Sequence, residues 1–525
     1  MLLTTYYYLL TAYCLLLPTY YTIINPMEIR DRYAPSPTGL QHIGGVRTAL
    51  FNYLFARSAG GKFILRLEDT DQTRCDESYV KNLYETFKWL GFRWDEGPDI
   101  GGMAAPYIQS ERIELYQKYA KELLDNDHAY YCFCSTERLD KVREEREAAH
   151  SSESGYDRHC RSISRDEAER RVAAGEAHTI RLKIPLGKEG EPPPVTAFYD
   201  HILGKVEWKN EDVNPDPVLL KSDGFPTYHL ANVVDDHFMG ITHILRAQEW
   251  LSSVPLHVIM YRAFGWEAPE FCHLPLVVGL DGKKLSKRHG STSIDEFRRQ
   301  GCLPEALINY VALVGCSYEE GKDFYTLAEL AERFSLEKLN KAPAVFDYKK
   351  LEWYNGNYIR MKSDEALAAL SLPFAVESGL FGVQGREPDE AQKKLFTAAM
   401  PLVKERSLYL REIPEKLRYL FEEPEMPPKE EFFPKKADLT TTLDLLKKGG
   451  TVINSLADAP DDEEAENRIK SFAETEGLKL GDLMMPMRVA ITGARVSPPL
   501  FGSLRLLGKE KANARVKKAI EALGR

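Results

Sequence analysis

Residues 28–71 read "EIRDRYAPSPTGLQHIGGVRTALFNYLFARSAGGKFILRLEDTD", and their pattern decides the fold. A short strand-like run stops at Pro35 and Pro37, because proline cannot continue a β-ladder. In the run that follows, Val46, Ala49, Leu50, Tyr53 and Leu54 fall at i, i+3, i+4, i+7 and i+8, and Gly60 with Gly61 supplies a stop, so a helix is expected. "KFILRLEDTD" then reads as a second strand. From Asp76 a second helix sets Tyr79, Val80, Leu83, Tyr84 and Phe87 on one face before Gly91 ends it. Such a βαβα series predicts a parallel sheet with right-handed crossovers and a ligand outside the carboxyl ends of its strands, where the turns 35–45 and 68–71 lie.

Working outward, 525 residues exceed what one core can organise, so several domains are expected. Residues 27–109 form the first half of an α/β, Rossmann-type catalytic domain. The more polar span 110–227, broken by "EGEPPP", reads as an insertion. "THILR" (242–246) and "LPLVVGL" (274–280) resume the sheet pattern, which makes 228–280 the second half. A basic segment opens 281–363, and from 364 to 525 helical periodicity replaces strand signals. Residues 1–26 carry no charge and lack the basic start of a signal peptide; they read as an appendage upstream of Met27.

Composition excludes whole classes. With 43% hydrophobic and 28% charged residues the chain is neither fibrous nor disordered, and no membrane association is expected. Eight cysteines are too sparse for a disulfide framework and suit a reducing compartment, so a cytoplasmic location is expected. The net charge of -10 leaves nucleic acid open, since phosphate binding depends on where the cations cluster.

They cluster in "DGKKLSKRHG", residues 281–290, where Lys283, Lys284, Lys287 and Arg288 share one Gly-bounded loop with no carboxylate expected near enough to neutralise them. An anion is therefore expected there. A second phosphate-suited element is the turn that delivers His42, Gly44 and Gly45 to a helix N-terminus, where glycine permits close backbone approach and the dipole favours negative charge. The Gly-x-Gly-x-x-Gly turn of a dinucleotide-dependent oxidoreductase is absent.

"HIGG" and "KLSKR" resemble the two signatures of class I aminoacyl-tRNA synthetases, and "RYAPSPTG", "LRLEDTD", "FPTYHLANVVDDH", "ILRAQEW" and "KLSKRHG" resemble the bacterial type of glutamyl-tRNA synthetase. The likeness runs from Met27 to "MRVAITGARVSPPLFGSLRLLGKE" near the end; Gln41 stands where the family usually shows Leu, and residues 1–26 have no counterpart. The resemblance implies a Rossmann-type parallel-sheet catalytic domain, an inserted acceptor-binding domain and an all-helical anticodon-binding end. It implies activation of L-glutamate by ATP with Mg2+, transfer to the 3′-terminal adenosine of tRNA(Glu), dependence of activation on bound tRNA, and a monomer.

Activation is attack of a carboxylate on the α-phosphate of ATP, so a cationic loop that holds the developing charge is what the step needs. Lys287 and Lys284 are expected in that role, with His42, Gly44, Gly45 and Arg288 completing the ATP site. Glutamate offers two carboxylates and one ammonium, so Arg32 and Arg246 are expected on the former and Glu68 on the latter. The resemblance adds Ala34, Ser36, Tyr228 and Asn232 as pocket lining. Taken alone, Arg246 at a strand end would read as half of a surface ion pair.

"CFC" and "YDRHC" offer Cys132, Cys134 and Cys160 as thiolate ligands, with Tyr156, His159 or His150 as a fourth, and a helical stretch 136–149 between them. Some relatives carry structural zinc here; a histidine often found two residues after the last cysteine is Ser162 in this chain. Two neighbouring readings compete. A truncated paralogue that glutamylates a tRNA base lacks the long helical end, and a glutaminyl-tRNA synthetase would read closer to Pro-Glu-Pro-Asn-Gly than to "PSPTG".

Overall fold

A computed structural model of the chain describes residues 28–150, 155–187 and 190–524, apart from the side chain of Lys287. The expected appendage 1–26 and the start at Met27 lie outside the described residues. Strand β1 (Arg30–Tyr33) pairs in parallel with β2 (Lys62–Leu65), with Arg32 opposite Ile64. The crossover is the helix Ile43–Ser58, whose Val46, Ala49, Leu50 and Leu54 are buried as the spacing predicts. Arg47 is buried too, and it donates to the carbonyls of Val314 (2.8 Å) and Pro275 (2.9 Å), which ties this helix to later parts of the chain. Asp76 caps the next helix, Glu77–Leu90, and Gly91 ends it at φ 83°, a conformation that favours glycine.

The insertion splits in two. Strands β3 (Ala129–Cys132), β4 (Thr179–Leu182) and β7 (Val218–Leu220) make a small antiparallel sheet of their own. The hairpin β5 (Val195–Asp200) and β6 (Gly204–Lys209) instead joins β8 (His243–Ala247) and β9 (Glu270–Leu274) in the order β6-β5-β9-β8. There β8, β9 and β5 run parallel and only β6 is antiparallel, so the sheet is mixed where an all-parallel one was expected. Two segments 212 residues apart meet beside it: Thr242 donates its amide to the Arg30 carbonyl at 2.8 Å, which sets β1 next to β8.

The strand expected at 274–280 lies earlier. Pro275 ends β9, and Val277–Val278 (β10) pairs instead with Ala344–Val345 (β11). The same short strand bridges Lys284 through Val278, so the basic loop is the tip of a tight hairpin rooted on β10.

Among the described residues, every element from Asp364 to Leu523 is helical, with a core that includes Leu446, Ile453, Leu483, Met487, Leu504 and Val516. Leu303 and Ile359 belong to the same apolar cluster, so the helical end packs directly against what precedes it. No helix among the described residues is long and apolar enough to cross a membrane.

Candidate active site

The carboxyl ends of β1, β2, β8 and β9 open into a cleft of about 1060 Å³. It gathers Arg32, Ala34 and Ser36 from the first strand and turn, and His42, Gly44 and Gly45 from the helix start. Glu68, Tyr228, Asn232, Arg246 and Lys284 reach it from elsewhere in the chain. Arg288 is exposed and does not line the cleft, and the side chain of Lys287 lies outside the described atoms.

At the phosphate-suited end, His42 caps the helix by accepting the Gly45 amide on Nδ1 at 3.2 Å, which leaves its proton for Nε2. Burial and then the nearby Lys284 ammonium hold its pKa below the ordinary histidine value and so favour the neutral ring, while Glu249 opposes them. The Gly45 amide, expected for ATP, is thus already engaged. Gly45 lacks a side chain for a further reason: a Cβ would stand 2.8 Å from the Tyr33 hydroxyl. The expectation that no carboxylate lies near the basic loop is corrected: Glu249 accepts from Lys284 at 2.6 Å, and Asp281 from His289 at 3.0 Å. Glu249 carried no signal, because it lies 35 residues upstream of Lys284 in a different element.

At the other end Arg32 and Arg246 are both buried. Arg32 is bidentate to Asp236, Nε at 3.0 Å and Nη2 at 3.1 Å, which leaves Nη1 with no hydrogen-bond partner among the described residues. Asp236 also takes Arg66 at 2.7 Å, and Asp235 takes Arg112 at 2.7 Å, so three arginines and three acids, Glu68 included, interlock beneath the cleft. Asp236 stays below the usual carboxylate range because Arg32 and Arg66 outweigh the burial that would raise it.

Arg246 differs in kind. It is 6% exposed and its partners are all neutral: His273 Nε2 at 3.1 Å, the Tyr228 hydroxyl at 2.9 Å and the Trp250 carbonyl at 3.3 Å. No carboxylate pairs with it among the described residues, so the surface ion pair that the isolated position suggested is absent. Glu68 receives Arg66 and Asn232 on Oε1, leaving Oε2 without a protein partner among the described residues; burial raises its pKa and Arg66 opposes that. The acids Asp235 and Asp236 lie inside a quoted motif, but nothing local says which arginines they meet.

Cys132, Cys134 and Cys160 bring their sulfurs within 4.8 Å of one another. The Tyr156 oxygen lies 3.3 Å from Cys132 Sγ and 3.6 Å from Cys134 Sγ, and Cys134 and Cys160 are 3.6 Å apart. A tetrahedral zinc with bonds of roughly 2.3 Å to sulfur needs sulfur–sulfur edges of about 3.8 Å, so these four residues fit one. Neither His150 nor His159 joins the group. The expected intervening helix is Thr136–Ala148. Burial, first of several causes, pushes the Cys134 thiol up to about 12, while the Arg138 guanidinium reaches its sulfur at 3.5 Å.

Two family models divide the chain: tRNA synthetases class I (E and Q), catalytic domain, over residues 28–353, and an anticodon binding domain over 366–520. The glutamate–tRNA ligase of Treponema denticola is 56% identical over 510 residues, covering 94% of this chain and 99% of that protein. That of Borreliella burgdorferi is 48% identical over 497 residues, covering 95% and 99%. A crystal structure of a glutamate tRNA ligase from Elizabethkingia meningosepticum in complex with its amino acid matches with a TM-score of 0.83 at 36% identity, covering 94% of this chain and all of that one. The chain therefore belongs to the glutamate–tRNA ligase family, the ATP-dependent class I aminoacyl-tRNA synthetases that charge tRNA with glutamate.

Proposed function

We propose that Arg246 selects glutamate by receiving one substrate carboxylate, with Arg32 Nη1 reaching the other and Glu68 the ammonium. The observation that carries this reading is the burial of Arg246 among neutral partners only, since a guanidinium so placed is stabilised when an anionic ligand arrives. Ala34, Ser36, Tyr228 and Asn232 complete the lining. The test is ATP–pyrophosphate exchange with tRNA present: glutamate should support it far better than glutamine, and equal exchange would overturn the assignment.

At the opposite end ATP enters as its magnesium complex. His42 donates from Nε2 to a phosphate oxygen, Gly44 and Gly45 keep the approach open, and Lys284 and Lys287, with Arg288 at the rim, hold the charge that grows on departing pyrophosphate. The Lys284–Glu249 pair is solvent-exposed and so weakly held, which lets Lys284 exchange its carboxylate for phosphate. The adenosine 2′-hydroxyl of tRNA(Glu) then takes the glutamyl group. Residues 110–227 serve the acceptor end, 281–363 the stem and 364–525 the anticodon, in a cytoplasmic monomer. Cys132, Cys134, Tyr156 and Cys160 hold a structural zinc that fixes the fold of the insertion and takes no part in catalysis. Metal analysis should find about one zinc per chain, lost in the Cys132→Ser, Cys134→Ser double variant.

A further inference from the structure

Asp200 is the last residue of β5, in the hairpin that the insertion lends to the catalytic sheet, and it is fully buried. All its acceptor positions are in use. Oδ1 receives the amides of Ile202 and Leu203, each at 2.9 Å, and Oδ2 receives the His273 amide at 3.0 Å and His273 Nδ1 at 2.7 Å. Burial works to raise its pKa, but the hydrogen bond from His273 and the turn amides hold it below the usual carboxylate range. An ionised carboxylate on Nδ1 fixes the proton there, so Nε2 of the equally buried His273 is a lone pair, and Arg246 Nε–H points at it from 3.1 Å.

We propose that Asp200 is a positioning residue for the glutamate site, setting the tautomer of His273 so that its Nε2 anchors Arg246 through Nε, while the terminal nitrogens donate only to the neutral Tyr228 hydroxyl and Trp250 carbonyl at the cleft. The arrangement parallels the carboxylate–histidine–metal triad, with a guanidinium where the metal would be. It supplies a counter-charge at one remove: the imidazole separates the carboxylate from the cation, so Arg246 is held and part of its burial cost offset without a carboxylate taking up its terminal nitrogens. The insertion thereby takes part in choosing the amino acid.

The inference rests on the reading that Arg246 binds a substrate carboxylate. Asp200→Asn is the informative change, because an amide donating to Nδ1 moves the ring proton to Nε2 and sets donor against donor at Arg246. The glutamate KM should rise roughly tenfold to a hundredfold, the range for outer partners of an ordered ligand, while the ATP KM stays near its wild-type value; the thermal midpoint falls as well, because the Asn amide also faces the backbone N–H of His273, so the split between the two KM values is the readout. In an Arg246→Gln background the same change should have little further effect on the glutamate KM. An effect that persists undiminished there, or that falls equally on ATP, would reduce Asp200 to a structural role. If Arg246→Gln raises the glutamate KM and Asp200→Asn does not, only this proposal falls; if Arg246→Gln changes nothing, the pocket assignment falls first. Should Asp200→Asn fail to fold, nitrogen NMR of His273 in the unaltered chain decides: a proton on Nδ1 alone is expected, and a proton on Nε2 overturns the proposal.

Discussion

Arg32 and Arg246 stand on neighbouring strands, line the same cleft and are buried to nearly the same degree, at 3% and 6% exposure. Their surroundings differ. Arg32 is clamped by Asp236 within a network of three arginines and three acids, whereas Arg246 touches only a ring nitrogen, a hydroxyl and a carbonyl. A buried cation that already has its carboxylate contributes chiefly to the fold, with one nitrogen left over for a ligand. A buried cation without one can be completed by an anionic ligand. Burial and residue type are alike in the two, so only the partner list separates the arginine already paired with a carboxylate from the one proposed to select the substrate.

The comparison can be broken most severely at Arg32. Arg32→Ala leaves Asp236 with Arg66 alone, and removing one member of a buried ion pair costs about 3 to 5 kcal/mol; a loss near the lower end is expected in denaturant unfolding, and an unchanged midpoint would refute the structural role. Arg246→Gln comes next. Stability should hardly move, but the glutamate KM should rise more than tenfold, in line with roughly 2 to 5 kcal/mol for truncating a hydrogen-bonded charge pair, and the preference over glutamine should shrink without inverting. Pyrophosphate exchange with each amino acid reads this directly.

Tyr228→Phe sharpens the contrast more gently. It deletes one neutral partner of Arg246, worth about 1 kcal/mol, so the glutamate KM should rise roughly fivefold with the ATP KM unmoved. The smallest effect lies at the phosphate end, where Glu249 also pairs with a cation, Lys284, but in a solvent-exposed pair. His42 should titrate below about 6.5, because burial and the Lys284 ammonium both disfavour its charged form. Lys284→Met removes one of these influences and should move the value upward, whereas Glu249→Gln removes the opposing one and should move it down; histidine NMR titration measures both. A downward move in Lys284→Met would place that ammonium away from His42.

The first strand, the two prolines, the helix register and the ends at His42 and Gly91 were legible because each is a local rule acting on a few neighbouring residues. Of the cleft residues, Arg32 and Arg246 could be named from charge at a strand position and Glu68 from the charge that an ammonium asks for, whereas Tyr228 was named only through the resemblance. What escaped were partnerships between distant segments. Asp200 lies inside a span read as insertion, 73 residues from His273, and no periodicity points from one to the other. Likewise Glu249 annuls the apparent isolation of the basic loop through a contact that forms only once the sheet is assembled, whereas the strand boundary at Pro275 follows a local rule that the reading of 274–280 as one strand passed over.

The strand order has a consequence for synthesis. β1 and β2 leave the ribosome early, but β8, the neighbour of β1, and the His273 that anchors Arg246 follow more than two hundred positions after β1. At about 5 to 20 residues per second the first pair waits on the order of ten to fifty seconds with an open edge. During that interval Arg30 and Arg32 have neither Thr242 nor Asp236, and the apolar face of β2 lacks its cover. Nascent chains halted before residue 236 should therefore depend on chaperones, and those halted before residue 246 should be blind to glutamate, since the cation that would receive it has not yet been made.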